Sequence, residues 1–178
     1  MGEAEAYAVY DIFINHRGPD TKKNVANLVY RRLIMYGLRV FLDKDEFQPG
    51  DPLYDKIKSA IRSSSIHVAI LSVTYAQSPC CLNELWDMLD MLESGCKVKI
   101  IPIFYDVKPA HLSHIDEKLR SIEGKLAVGT ENPKFEPYVE AFRNHQQTRR
   151  HDAELDRWMD ALNKVSKISG IEFNKEKE

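Results

Sequence analysis

The sequence places an acidic side chain and a basic turn where they could act on one ligand. The acidic side chain is Glu84, and the turn consists of His16, Arg17 and Gly18. A glutamate near a helix start gains about a few tenths of a kcal/mol from the helix dipole without any further role. An arginine in a turn is more often solvated than bound to a phosphate. Either feature alone is weak, and together they suggest a site only if the fold brings them to one crevice.

Motifs that bind nucleotides or accept phosphate are missing or incomplete. No G-x-G-x-x-G occurs, so a Rossmann dinucleotide site is not expected. Residues 124–130 have the glycine spacing of a phosphate loop, but Thr130 stands where the lysine belongs and no apolar strand precedes it. The aspartate of a response regulator would fall near residues 71–72, which are leucine and serine.

The sequence also lacks a complete metal-binding motif and a pattern of paired cysteines. His111 and His114 form an H-x-x-H with no third ligand nearby, and the adjacent Cys80 and Cys81 lack C-x-x-C spacing. With Cys96 the cysteine count is odd, and no N-x-S/T sequon occurs. These features favour free thiols in a reducing compartment. We predict no metal site.

Composition indicates a single globular domain that binds neither nucleic acid nor a membrane. The 178 residues are 43% hydrophobic and 29% charged, near the globular averages. The net charge of −2 gives no field that would attract nucleic acid or an anionic membrane. Apolar runs fall far short of the roughly 18 residues of a spanning helix, and the acidic N-terminus lacks a signal-peptide pattern. We expect a cytoplasmic or nucleo-cytoplasmic protein that binds neither membrane nor nucleic acid.

The elements that must position the candidate residues alternate between strand and helix. Short apolar runs predict strands over residues 9–15, 38–42, 66–71 and 97–105. Helical patterns lie between and after them, with Asp20 predicted to cap the first helix, Gly37 to end it, and Asp51-Pro52 and Ser78-Pro79 to start the next two. Residues 106–132 leave room for a short helix and a fifth strand. Near-continuous apolar strands separated by helices predict a parallel sheet covered on both faces.

This topology predicts where a ligand would bind. In an open α/β sheet the site lies at the carboxyl ends of the strands, where neighbouring connections diverge. In the flavodoxin-like order this point falls between the first and third strands, beside the turn at residues 16–18 and the start of the third helix. Glu84 lies about 200° around that helix from Leu82, opposite the apolar stripe. The fold therefore brings both candidate features to one edge.

Five blocks of the sequence, taken in order, resemble a plant TIR (Toll/interleukin-1 receptor) domain. The blocks are YDIFINHRGPDT, GLRVFLDKDEFQPGD, AILSVTYAQSPCCLNEL, IIPIFYDVKP and RWMDALNKVSKISG. The resemblance runs from about residue 10 to residue 170. It implies an α/β, flavodoxin-like TIR fold, with a five-stranded parallel sheet and helices on both faces, in a TIR-only protein. We predict an N-terminal extension over residues 1–8, a TIR domain over 9–170 and a charged tail over 171–178.

The resemblance also implies an activity, since many plant TIR domains cleave NAD⁺. Their catalytic glutamate lies in a C-L-x-E-L block, which implies Glu84 as the catalytic residue here. The substrate-binding residues that the resemblance implies are His16, Arg17, Gly18, Asp43, Phe47, Gly50 and Cys80. The loop after the second strand, which ends at Gly50, would gate the pocket.

One carboxylate fits this chemistry. Nicotinamide leaves as a neutral base because it departs from a pyridinium cation, so the carboxylate has only to stabilise an oxocarbenium-like transition state. Water would then give ADP-ribose, and a hydroxyl of the same molecule would give a cyclic isomer, a plant immune signal. NAD⁺ is the implied substrate, NADP⁺ is an open alternative, and no cofactor is implied. The resemblance also implies a homo-oligomer through TIR–TIR contacts, in which a neighbouring gating loop completes each site, and it admits other TIR proteins as partners.

Two departures from the family pattern keep a second function open. Cys80 stands where the family has a tryptophan that can stack on a substrate ring, a contact worth about 1–3 kcal/mol. Asn27 and Leu28 stand where the family has a Ser-His pair used in assembly. The alternative is a non-catalytic adaptor that binds other TIR domains. Nucleic-acid cleavage is a weaker alternative because the net charge is nearly neutral.

Overall fold

In the computed structural model, which describes residues 9–21, 24–42, 52–127, 136–148 and 151–174, parallel strands form a five-stranded sheet. The strands are β1 (Ile12–His16), β2 (Val40–Leu42), β3 (Ile66–Leu71), β4 (Lys99–Tyr105) and β5 (Ile171–Phe173). Their order is β2-β1-β3-β4-β5, which confirms the predicted flavodoxin-like α/β fold. Because β1 and β3 are neighbours, the point where the chain reverses its direction of winding lies between them, as predicted.

The described residues also form eight α-helices. They are α1 (Gly18–Thr21), α2 (Val25–Met35), α3 (Pro52–Ser63), α4 (Pro79–Glu93), α5 (Pro109–Leu112), α6 (Ile115–Ala127), α7 (Pro137–Gln147) and α8 (Asp152–Val165). None of these helices combines the length and the apolar composition needed to cross a bilayer.

The sheet separates two apolar clusters, because successive strand residues point to opposite faces. On β1, Phe13 packs into one cluster, whereas Ile12 and Ile14 pack into the other. The first cluster contains buried side chains of α3, α4, α7 and α8, and α2 covers the second. Every residue of β1 is buried, so the strand that leads into the candidate site is fixed from both sides.

Local sequence signals set the helix ends near the candidate site. Gly37 follows α2 with a φ of +80°, the left-handed conformation that glycine adopts without strain. Pro79 is the first residue of α4, and the side chain of Ser78 accepts a hydrogen bond from the backbone N of Cys81 at 3.3 Å. Both ends confirm the sequence-based prediction.

Asp20 does not cap the helix that ends before Gly37, contrary to our prediction. It belongs to the separate short helix α1, and α2 begins only at Val25. The Asp20 carboxylate instead accepts hydrogen bonds from Ser72 Oγ at 2.7 Å and from Thr74 N at 3.1 Å. These donors lie in the turn after β3, so a long-range contact has replaced the expected local one.

The fifth strand also lies elsewhere than expected. Residues 106–127, the described part of the segment that left room for it, hold α5 and α6 and no strand. Instead, Ile171–Phe173 pairs with residues 103–105 of β4, inside the segment predicted as a tail. Gly170 permits this approach, because a Cβ there would lie 2.3 Å from the carbonyl oxygen of Pro102. Residues 1–8 lie outside the described residues, and the domain bounds remain a prediction.

Candidate active site

Glu84 faces the end of β1. Its neighbours on α4, Leu82 and Leu85, are fully buried, which turns Glu84 away from the core and toward the carboxyl edge of the sheet. The side chain is half-buried, and its Oε2 accepts a hydrogen bond from Asn15 Nδ2 at 2.8 Å. The carboxylate therefore lies at the switch point between β1 and β3, where the topology predicts a ligand site.

Asn15, the residue that holds Glu84, is itself held by Tyr75. Asn15 is fully buried near the end of β1, and its Oδ1 accepts a hydrogen bond from the Tyr75 hydroxyl at 2.6 Å. Tyr75 is also fully buried, and burial raises the pKa of its hydroxyl well above the ordinary value. The hydroxyl therefore keeps its proton and remains a donor.

His16 and Gly18 lie beside the site, and the side chain of His16 is largely buried. His16 is only 8% exposed, and its Nδ1 lies 2.9 Å from Thr21 Oγ1. Since the Thr21 hydroxyl donates to the Arg17 carbonyl at 2.9 Å, Nδ1 of His16 is the donor in this contact. Gly18 is the first residue of α1, and a Cβ there would meet no atom within 4 Å.

Arg17 reaches from the end of β1 to the turn after β3. Its Nη1 donates to Thr74 Oγ1 at 2.7 Å and lies 3.5 Å from Asp20 Oδ1, while its Nε is buried without a hydrogen-bond partner among the described residues. Burial raises the pKa of Asp20, but hydrogen bonds from Thr74 and Ser72 and the charge of Arg17 outweigh it, so the pKa is below its ordinary value. Arg17 and Asp20 thus tie the two turns together as a charged pair.

Cys80 and Glu84 line a small depression between α3 and α4. Its lining residues are Tyr54, Ile57, Lys58, Cys80, Asn83, Glu84 and Asp87. Burial raises the pKa of Asp87, and the nearby positive charge of Lys58 partly offsets this effect. The remaining predicted substrate-binding residues, Asp43, Phe47 and Gly50, lie outside the described residues.

The neighbouring thiol is not a nucleophile. Cys81 is buried, and burial raises the pKa of its thiol well above the ordinary value. Its Sγ donates to the carbonyl oxygen of His16 at 3.4 Å. Within the described part of the chain, no group of three or more His, Cys, Asp or Glu side chains is placed to hold a metal ion.

The sequence did not single out Asn15 and Tyr75, although both organise the site. Asn15 is a polar residue that directly follows the apolar residues 12–14, near the carboxyl end of a buried strand. A buried amide at that position needs partners, so this feature could have marked it in advance. Tyr75 gave no such signal, because its partner lies 60 residues away in the chain.

Comparison with known proteins gives the same family that the sequence blocks suggested. The family model for the TIR domain matches residues 9–129. The chain is 50% identical over 103 residues to the probable 2′ cyclic ADP-D-ribose synthase BdTIR of Brachypodium distachyon, a match covering 58% of this chain and 44% of that protein. It is 31% identical over 169 residues to the TMV resistance protein N of Nicotiana glutinosa, covering 94% of this chain and 13% of that protein. The aligned region thus spans less than half of either relative.

A solved structure is similar over nearly the whole chain. The TIR domains of the activated Roq1 resistosome, which directly recognises the pathogen effector XopQ, superpose with a TM-score of 0.72 at 28% identity. The superposition covers 93% of this chain and 89% of that one.

Proposed function

The chain belongs to the TIR domain family, and on this premise we propose that it is an NAD⁺ nucleosidase that releases nicotinamide. Its proposed main product is 2′ cyclic ADP-D-ribose, with linear ADP-ribose formed when water competes, and its proposed role is in plant immune and cell-death signalling. The 50% identity to a probable 2′ cyclic ADP-D-ribose synthase over 103 residues supports the choice of product. NADP⁺ is the second substrate to test.

The observation that carries this proposal is the position of Glu84. Its carboxylate lies at the β1/β3 switch point, 2.8 Å from the Asn15 amide nitrogen, and Glu84 lines a small depression between α3 and α4. Ligands of open α/β sheets bind at this position, whereas a carboxylate that only stabilised the helix could point anywhere into solvent.

Glu84 acts on the ribose during cleavage. The bond between the ribosyl carbon and the pyridinium nitrogen breaks, and its electron pair stays on nitrogen, so nicotinamide leaves neutral. The carboxylate stabilises the positive charge that develops on the sugar. A ribose hydroxyl of the same molecule, or water, then forms the new carbon–oxygen bond and loses its proton to the carboxylate or to solvent. His16, Arg17, Gly18 and Cys80 remain predicted substrate contacts.

Self-association forms part of the proposal. The similarity to the TIR domains of a resistosome supports assembly through TIR–TIR contacts, with other TIR proteins as further partners. Exposed apolar side chains on and just after α2 supply surface for such contacts: Leu28, Ile34, Met35 and Tyr36. We also propose a cytoplasmic location, since Cys80, Cys81 and Cys96 are free thiols, as a reducing compartment requires.

The test compares Glu84→Gln with the unchanged protein at high protein concentration, with nicotinamide release and product mass as readouts. We expect at least a ~100-fold loss of turnover, the size of effect seen when one transition-state contact is removed. Glu93→Gln is the matched control, because it makes the same change on the same helix and breaks only an exposed contact to Lys164. Equal nicotinamide release from both variants would end the proposal.

One observation favours the alternative of a non-catalytic adaptor. Cys80 on the wall of the depression is much smaller than the tryptophan of the family, so a substrate ring would lose apolar contact there. An adaptor would bind other TIR domains equally well with Glu84→Gln and would show no turnover at any protein concentration.

A further inference from the structure

We infer that Asn15 is a positioning residue for Glu84, and that Tyr75 fixes Asn15 in the orientation this requires. The inference rests on the proposed function and deepens it, because it concerns how the catalytic carboxylate is held. The observation is a continuous set of hydrogen bonds from Tyr75 to Asn15 at 2.6 Å and from Asn15 to Glu84 at 2.8 Å.

The orientation of the Asn15 amide follows from its partners. Its Nδ2 lies 2.8 Å from Glu84 Oε2 and 3.4 Å from the Cys81 carbonyl oxygen, and both of these atoms only accept. Its Oδ1 lies 2.6 Å from the Tyr75 hydroxyl, whose one proton is shared between Oδ1 and the Cys81 carbonyl oxygen at 2.9 Å. A flipped amide would bring Oδ1 against two acceptors, so the amide takes the orientation that directs Nδ2 toward them.

This arrangement has an electrostatic consequence. A hydrogen bond from a neutral amide to a carboxylate favours the ionised form of that carboxylate. It is also stronger and more directional than a bond between neutral groups, so it limits the rotamers of Glu84. Asn15 therefore keeps the carboxylate aimed at the switch point.

The turn that contains Tyr75 is itself held in place by hydrogen bonds from α7. Tyr75 begins a single turn of 3₁₀ helix, Tyr75–Gln77, between β3 and α4. The Tyr138 hydroxyl donates to the Ser72 carbonyl, and His145 Nε2 donates to the Ala76 carbonyl, each at 2.8 Å. Because α7 holds this turn on both sides of Tyr75, the hydroxyl cannot shift without breaking contacts elsewhere.

The test measures kcat, KM and the pH dependence of nicotinamide release for Asn15→Asp, Asn15→Ser and Tyr75→Phe. In Asn15→Asp a second carboxylate lies at hydrogen-bond distance from Glu84, and the two cannot both ionise readily. We therefore expect the pH at which kcat falls on the acid side of the profile to move upward by at least about one pH unit. In Asn15→Ser the shorter hydroxyl does not reach Glu84, so kcat should fall about 10- to 100-fold with a smaller change in KM. Tyr75→Phe should also lower kcat, by a smaller factor than Asn15→Ser.

The controls separate this inference from the proposed function. Asn144→Asp adds the same charge at an exposed site on α7 and should leave both kcat and the pH profile unchanged. If Glu84→Gln keeps its activity, the proposed function fails and the inference fails with it. If Glu84→Gln is inactive while Asn15→Ser and Tyr75→Phe keep the original kcat and pH profile, the function stands and Asn15 has only a structural role. If circular dichroism shows that Asn15→Asp does not fold, the kcat values and pH profiles of Asn15→Ser and Tyr75→Phe test the inference on their own.

Discussion

Replacing Gly170 with alanine tests how the fifth strand joins the sheet. The added Cβ would lie 2.3 Å from the Pro102 carbonyl oxygen and 2.6 Å from Pro102 Cγ, so the backbone of β4 or β5 must move. Movement would weaken the pairing of β5 with β4, the bond from Asp106 N to the Phe173 carbonyl at 2.8 Å, and the stacking of Phe173 on Tyr105.

The size of the effect follows from those contacts. Each hydrogen bond makes a net contribution of about 0.5–1.5 kcal/mol to the free energy of unfolding, and an aromatic pair contributes about as much. Partial loss of these contacts, together with overpacking, predicts a fall of about 2–3 kcal/mol in the free energy of unfolding. For a chain of this length, that lowers Tm by about 4–12 °C.

Thermal unfolding followed by circular dichroism measures this effect, with Gly124→Ala as the control. Gly124 lies in α6, and a Cβ there meets nothing within 4 Å, so alanine should be neutral or stabilise by up to about 1 kcal/mol. If Gly170→Ala melts within about a degree of the unchanged protein, the close approach of β5 to Pro102 does not hold that strand in place.

Three further predictions follow from other described contacts. Burial lowers the pKa of His67 below its ordinary value of 6.5, so the unfolded chain binds this proton more tightly and stability should fall as pH drops below about 6.5. Urea unfolding should show a shallower pH dependence in His67→Leu. Trp158 Nε1 donates to Asn83 Oδ1 at 2.8 Å, so Trp158→Phe should cost about 1–3 kcal/mol of unfolding free energy in the same assay, and an unchanged midpoint would contradict this. Cys80→Trp should lower KM for NAD⁺ by about tenfold or more, and an unchanged KM would show that no substrate ring stacks there.

Local patterns in the sequence predicted most of the fold. The apolar runs gave β1 to β4 because strands buried on both faces need continuous apolar residues. Gly37 marked a helix end through its left-handed backbone conformation, and Ser78-Pro79 marked a helix start through a side-chain cap followed by proline. The helical period alone indicated that Glu84 would face away from the core, and it does.

Long-range contacts account for what the sequence did not predict. Ile171–Phe173 is too short to show a strand period, and it joins the sheet only because Gly170 lets it approach β4. Asp20 had a plausible local role as a cap, but three donors from residues more than 50 positions away bind its carboxylate instead. Which distant side chain meets which depends on packing, and the pattern around a single residue does not contain that information.

The contacts between the ends of β1 and β3 also limit how this protein can be recombined with its relatives. Asp20 depends on Ser72 and Thr74, and Asn15 depends on Tyr75, although each pair is far apart in the chain. A chimera whose first turn lacks Asn15 or Asp20 would leave Tyr75, or Ser72 and Thr74, without these acceptors. Exchanging residues 15–20 and 72–75 together keeps these pairs intact, so the two turns should be transferred as one unit.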